Sequence, residues 1–177
     1  MPNSTKAASE FKGKRVSGWS PTPIAVVTEA LRLAELSSND LLFDLGCGDG
    51  RVIVRAAKMT GARAIGFDID EGLLKNTKER IAKAGVSEKV RVRQQDLLSI
   101  PDIRRASVIF MYLPYGALNK LKPLLRKGCK KGTRIISVSY HHRGSVTGAR
   151  FRNWRPSKDL FMWIRRQKWN IGVWVVS

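Results

Sequence analysis

Apolar and polar positions along this chain follow two alternating rhythms. After Pro21-Thr22-Pro23, the residues Ile24, Val27, Leu31 and Ala34 recur at intervals of three and four, which predicts a helix. The apolar run Leu41–Leu45 reads as a buried strand and Arg51–Met59 as a helix. The alternation continues with a strand at Arg63–Ile69, a helix at Glu71–Ala84, strands at Val90–Gln95 and Ala106–Leu113, a helix at Leu118–Arg126 and a strand at Thr133–Tyr140. Strands that alternate with helices imply a mostly parallel sheet wrapped by helices on both faces, an α/β fold. The end of the chain changes character. Leu160–Arg165 and Ile171–Ser177 are strand-like runs joined by the polar link Arg166–Asn170, which predicts an antiparallel hairpin. Gly61, Gly85 and Gly132 fall where segments stop, and Leu73, Leu74, Ile81, Leu121 and Leu125 read as helix faces packed on the sheet.

Chemistry enters at the first strand. Leu41–Leu45 runs into Gly46-Cys47-Gly48-Asp49-Gly50, which opens the next helix. Such a turn brings bare backbone and the N–H groups of a helix start up to a ligand, so a nucleoside-type cofactor is expected there. The spacing is GxGxG preceded by Asp44, not the GxGxxG of a dinucleotide site, and a carboxylate at that place suits a cationic ligand rather than a diphosphate. Asp68 ends the second predicted strand, where a carboxylate accepts both hydroxyls of a ribose; Asp70 competes for that role. Asp96 and Leu97 follow the third strand. For any one of these acids the alternative reading is a turn or a helix cap.

Asp44-Leu45-Gly46-Cys47-Gly48-Asp49-Gly50, with Asp68 and Asp96 in order behind it, resembles class I S-adenosyl-L-methionine-dependent methyltransferases. That resemblance implies a Rossmann-like, mostly parallel seven-stranded sheet with a C-terminal antiparallel hairpin. It also implies that Asp96 accepts from the adenine amine while Leu97 packs on the ring. A nearer likeness runs through Pro21-Thr22-Pro23, the glycine turn with Arg51, Tyr112-Leu113, Leu121-Lys122-Pro123 and Gly132–Ser137. These stretches resemble the small protein-lysine methyltransferases related to the enzymes that modify a membrane subunit of ATP synthase. The cofactor set so implied is Thr22, Asp44, Gly46, Cys47, Gly48, Asp68, Ile69, Asp96, Leu97 and Tyr112. Many amine methyltransferases carry Asn-Pro-Pro-Tyr or Asp-Pro-Pro-Tyr after the fourth strand, where this chain has Met111-Tyr112-Leu113-Pro114-Tyr115. Tyr112 stands in place of the amide or acid, so the usual amine clamp is absent or supplied differently, and strand-end packing is the alternative reading of Tyr112. Tyr112 and His141 are the catalytic candidates, each able to take a proton directly or through water.

Composition bounds these readings. A chain of 177 residues with 43% hydrophobic content supports one well-buried domain, taken as residues 19–177 behind a flexible basic arm at 1–18. Two cysteines make neither a disulfide framework nor a metal set, so no metal is expected. No apolar run approaches the roughly 20 residues of a membrane span. The reading is intracellular and cytoplasmic, with a mitochondrial address as the alternative. The formal charge is +19, and fifteen basic side chains from Lys120 onward face one acid, Asp159. A field of that size attracts polyanions and repels lysine-rich targets, so a target with acidic flanks is favoured. His141–Arg155 interleaves arginines with Phe151 and Trp154, as single-strand nucleic-acid surfaces do. The leading expectation is methyl transfer to a protein lysine. The alternatives are an RNA methyltransferase and a cofactor-binding, inactive partner subunit.

Overall fold

The computed structural model describes residues 21–142, 145–147, 157–164 and 167–176. The predicted arm at 1–18 and most of His141–Arg155 lie outside the described residues. The elements are α1 (Ile24–Leu33), β1 (Leu41–Leu45), α2 (Arg51–Thr60), β2 (Arg63–Asp68), α3 (Glu71–Lys83) and β3 (Val90–Gln94). After two single 3₁₀ turns, Leu97–Ser99 and Ile103–Arg105, come β4 (Val108–Met111), α4 (Tyr115–Gly128), β5 (Arg134–His142), β6 (Ser145–Thr147), β7 (Lys158–Ile164) and β8 (Gln167–Val175). The strands run in the order β3-β2-β1-β4-β5-β8-β7, with β6 paired to β5 off that path. Strands β1 to β5 are parallel, and β8 is antiparallel to both β5 and β7. This is the Rossmann-like, mostly parallel α/β sheet with a closing antiparallel hairpin that the sequence predicts.

Two apolar layers sandwich the sheet. On one face α1, α2 and Ile81 of α3 pack on Leu42, Ala64, Val108, Phe110, Ile136 and Val138. On the other, Leu118, Leu121 and Leu125 of α4 and Ile103 pack on Phe43, Leu45, Phe67, Ile109 and Met111. Alternation along each strand sorts its residues between the layers, so Asp44 shares the face of Leu42, and Tyr112 that of Phe110. Asp44 and Phe110 are register partners on β1 and β4. The strand order reverses between these two strands, and ligands in open α/β sheets sit in the crevice above such a reversal.

Several boundaries differ from the sequence reading. Helix α4 starts at Tyr115, because Pro114 stands at its N-cap and Ala117 and Leu118 already belong to the buried stripe. Strand β4 ends at Met111, the last residue paired with β5, which leaves Tyr112 and Leu113 beyond the sheet. Strand β8 begins at Gln167, inside the expected link, because Lys168 and Asn170 alternate along it with buried Trp169 and Ile171. Opposite the glycine turn, at the other end of the sheet, Arg134 binds Asp40 and also donates to the carbonyls of Ala34 and Glu35. Lys158 pairs with Glu35 there. These two cations of the basic half are therefore committed to holding the fold.

Candidate functional site

The turn after β1 is anchored before it bends. The N–H groups of Gly46 and Cys47 both donate to the carbonyl of Phe67, at 2.9 and 3.0 Å, tying the turn to the end of β2. Gly46 has φ +84°, and a Cβ there would fall 2.8 Å from Leu113 Cδ2; Gly50 has φ +74°, and a Cβ there would fall 2.3 Å from Thr77 Cγ2. Conformation and space both require glycine at these two places. Thr77 of α3 is fully buried. Its hydroxyl lies 2.7 Å from the Gly48 carbonyl and 2.9 Å from that of Leu73, and it holds the loop against the helix. Cys47 is buried with Sγ packed over Gly66, so it meets the crevice through its backbone, and burial pushes its thiol pKa up.

The acids divide into distinct environments. Asp44 is 2% exposed, and its Oδ2 has no hydrogen-bond partner among the described residues. Burial, and after it the charges of Asp68 and Asp49, push its carboxyl well above the ordinary range. An incoming cation would supply the missing partner of a buried acid so displaced. Asp68 is held differently: Oδ2 accepts from Gly48 N–H at 2.8 Å, and Oδ1 from Ile69 and Asp70 N–H at 2.8 and 3.1 Å. Asp70 serves as the N-cap of α3, accepting from Leu73 N–H at 3.0 Å, which separates it from Asp68 by role. Asp96 accepts from Leu98 N–H at 2.9 Å and caps the first 3₁₀ turn, with Leu97 half-buried beside it.

One clip escaped the sequence reading. Asp49 receives Arg51 Nε and Nη2 at 2.9 and 2.7 Å and Arg80 Nη2 at 2.9 Å. Burial alone would raise the Asp49 pKa, but Arg51 and then Arg80 hold it below the usual value. The remaining nitrogen of Arg51 donates to the carbonyl of Thr22 at 3.0 Å, fastening the buried Thr22 beside the glycine turn. The only sequence signal was Arg51 following the last glycine, and Thr77 gave none beyond lying on the inward stripe with Leu74 and Ile81.

On the β4 side, the Tyr112 ring lies 5.6 Å from that of Trp169, tilted by 48°, and Trp169 is buried on β8. Tyr112 thus combines packing with a place on the same face as Asp44. Trp169 was not singled out by sequence, although it falls in period-two step with Ile171 and Val173 on one face of the strand. His141 lies where β5 runs past the end of β4, between Val146 of β6 and Lys168 of β8. Its side chain lies outside the described residues. The fold therefore gathers Thr22, Asp44, Gly46–Gly48, Asp68, Ile69 and Tyr112 at the tips of adjacent strands, with Asp96 and Leu97 beyond β3.

Comparison with known proteins adds four findings. The family described as the ANTKMT methyltransferase domain matches residues 44–147. A protein-lysine N-methyltransferase of Saccharolobus islandicus (strain REY15A) is 37% identical over 125 residues, covering 70% of this chain and 77% of that one. The crystal structure of an RNA methyltransferase from Salinibacter ruber, in complex with S-adenosyl-L-homocysteine, superposes with a TM-score of 0.75 at 34% identity, covering 89% of this chain and 94% of that one. The ribosomal protein L11 methyltransferase of Enterobacter sp. (strain 638) is 32% identical over 102 residues, and the match spans about a third of its length, 34%.

Proposed function

We propose, because this chain belongs to the ANTKMT methyltransferase domain family, that it transfers a methyl group to a lysine side chain of a protein. It is a methyltransferase that uses S-adenosyl-L-methionine. The 37% identical lysine methyltransferase supports the acceptor assignment. Support for the pocket comes from the buried Oδ2 of Asp44, without a hydrogen-bond partner among the described residues, beside a turn in which Gly46 and Gly50 leave no room for a Cβ. The donor set fits the cofactor, whose methionine end is cationic.

Each residue then has a task. Asp44 balances the charge of the methionine end, with Thr22 closing over it and the backbone of Gly46, Cys47 and Gly48 forming the wall. Asp68, already oriented by three N–H donors, accepts the ribose hydroxyls. Ile69, Asp96 and Leu97 enclose the adenine. When bound, the cofactor supplies an electrophilic methyl carbon, to which the lysine nitrogen forms a new bond as the carbon–sulfur pair leaves with the sulfur. The chain's work is alignment and exclusion of water. Tyr112 orients the amine, and His141 is the second group assigned to its proton. The surrounding positive field favours the neutral, nucleophilic amine.

The test is to incubate a cell extract with this protein and methyl-labelled cofactor, then treat aliquots with protease or nuclease. Loss of labelled macromolecule under protease supports the lysine reading. Loss under nuclease overturns it in favour of RNA.

A further inference from the structure

On the sheet face opposite Asp44 and Tyr112, α4 and the two 3₁₀ turns leave a groove of about 460 Å³ lined by Leu98, Ile103, Lys120, Pro123, Leu124 and Lys127. Gly128 fixes its end, because a Cβ there would fall 2.3 Å from Ile103 Cγ2, so helix and turn meet backbone to side chain. The floor is apolar, and Leu98 remains 49% exposed at its centre. The helix rim is cationic. Lys120 and Lys127 are exposed on one face of α4, about 10 Å apart along its axis. Among the described residues neither has an acidic partner. The second 3₁₀ turn, which supplies Ile103, also carries exposed Arg104 and Arg105 against one acid, Asp102.

We propose that this groove docks an acidic segment of the protein substrate, namely two carboxylates about three residues apart with an apolar side chain between them. The inference rests on the lysine-acceptor reading and deepens it. Three residues of extended peptide span about 10 Å, which matches the axial spacing of the two lysines on the helix. The apolar side chain takes the floor beside Leu98 and Leu124. Among the described residues no aromatic ring lines the groove, so these residues offer no platform for stacking bases, which favours a peptide over single-stranded RNA. Position fits as well. Lys120 and Lys127 stand about 8 and 18 Å along the helix from Tyr115, at the end of the acceptor loop. The acidic pair is therefore placed roughly two to six residues from the modified lysine. Such a docking segment lets a strongly basic enzyme hold a target whose own lysine its field would repel.

The experiment uses synthetic peptides with one lysine and a Glu-Leu-Gln-Glu segment beginning two residues away, against the same peptides with both glutamates replaced by glutamine. Binding is read by fluorescence anisotropy with S-adenosyl-L-homocysteine present, and transfer by initial rates. The glutamate peptide should bind about fivefold more tightly, and added salt should erode the difference. The surface double variant Lys120→Glu, Lys127→Glu should abolish the preference while cofactor affinity stays unchanged. Equal binding of the two peptides, or a preference that survives charge reversal, overturns the groove assignment even if lysine is methylated. A preference abolished by charge reversal, with neither peptide methylated, upholds the groove and removes the acceptor reading. A short oligouridylate whose binding alone is lost in the double variant overturns the peptide in favour of RNA.

Discussion

Asp44→Asn keeps the shape of a buried side chain and removes its charge, so it separates a ligand-directed acid from a structural one. In the free protein, burial and the charges of Asp68 and Asp49 raise the Asp44 pKa above its unfolded value. The folded state therefore binds this proton more tightly than the unfolded chain does. Its contribution to stability is complete below the unfolded pKa and is lost as pH rises through the folded one. Asparagine cannot lose it, so the ligand-free variant should be more stable than the parent, with a gap that widens as pH rises from the unfolded carboxyl pKa towards the raised folded one. Cofactor binding runs the other way. Removing one member of a buried charge pair costs about 2–5 kcal/mol, an affinity loss of about 30-fold to several thousandfold. Ligand at one hundred times the parent dissociation constant stabilises the parent by about 2.7 kcal/mol, and the variant by less than about 0.9 kcal/mol. For a chain of this size that is a melting shift of about 5–11 °C against at most about 3 °C. Because a cation draws the carboxyl pKa down, parent affinity should also rise with pH, and the variant should lose that slope. Calorimetric titration and thermal melts at several pH values read all three. A variant less stable when free and unchanged in affinity would refute the reasoning.

Other expectations follow from neighbouring contacts. Asp68→Ala removes both the proposed ribose acceptor and the partner of three N–H groups. It should weaken cofactor binding by about 1–3 kcal/mol and speed hydrogen exchange at Gly48 and Ile69; unchanged affinity removes the ribose role. Tyr112→Phe should lower turnover with cofactor affinity intact, whereas Tyr112→Ala should also lose about 0.5–1.5 kcal/mol of stability with the Trp169 ring contact. Gly50→Ala should destabilise the fold through its positive φ and its clash with Thr77 Cγ2, and adding Thr77→Ser should recover part of the loss in chemical denaturation. Burial pushes the Asp40 pKa up, but hydrogen bonds from Ser107 and Ser37 and the Arg134 charge bring it below its unfolded value. Its stabilisation should be present above the unfolded pKa and lost as pH falls through the folded one, and acid melts of Asp40→Asn should show a shallower decline.

The order of elements was legible because the apolar period switches cleanly between two and 3.6, and because buried parallel strands such as Leu41–Leu45 leave uninterrupted apolar runs. Polar residues misled where they alternate within a strand. Gln167, Lys168 and Asn170 read as a link, yet Trp169 between them is core. The segment between Asp96 and Ala106 carried no period, because two short 3₁₀ turns each bury little more than Ile100 or Ile103. At the site, the glycine turn and Asp44 were legible from residue type and spacing. The clips made by Arg51 to Thr22 and by Thr77 to Gly48 join positions 29 residues apart, and such tertiary hydrogen bonds leave no periodic trace.

Methyl transfer to a protein lysine from the pocket around Asp44 is read at the acceptor atom by hydrolysing the labelled product formed by this protein and separating amino acids from nucleosides. Label should appear in Nε-methylated lysine and fall away when the Asp44→Asn variant replaces the parent. Label in a methylated nucleoside, or in lysine to the same extent with the variant, would contradict this assignment.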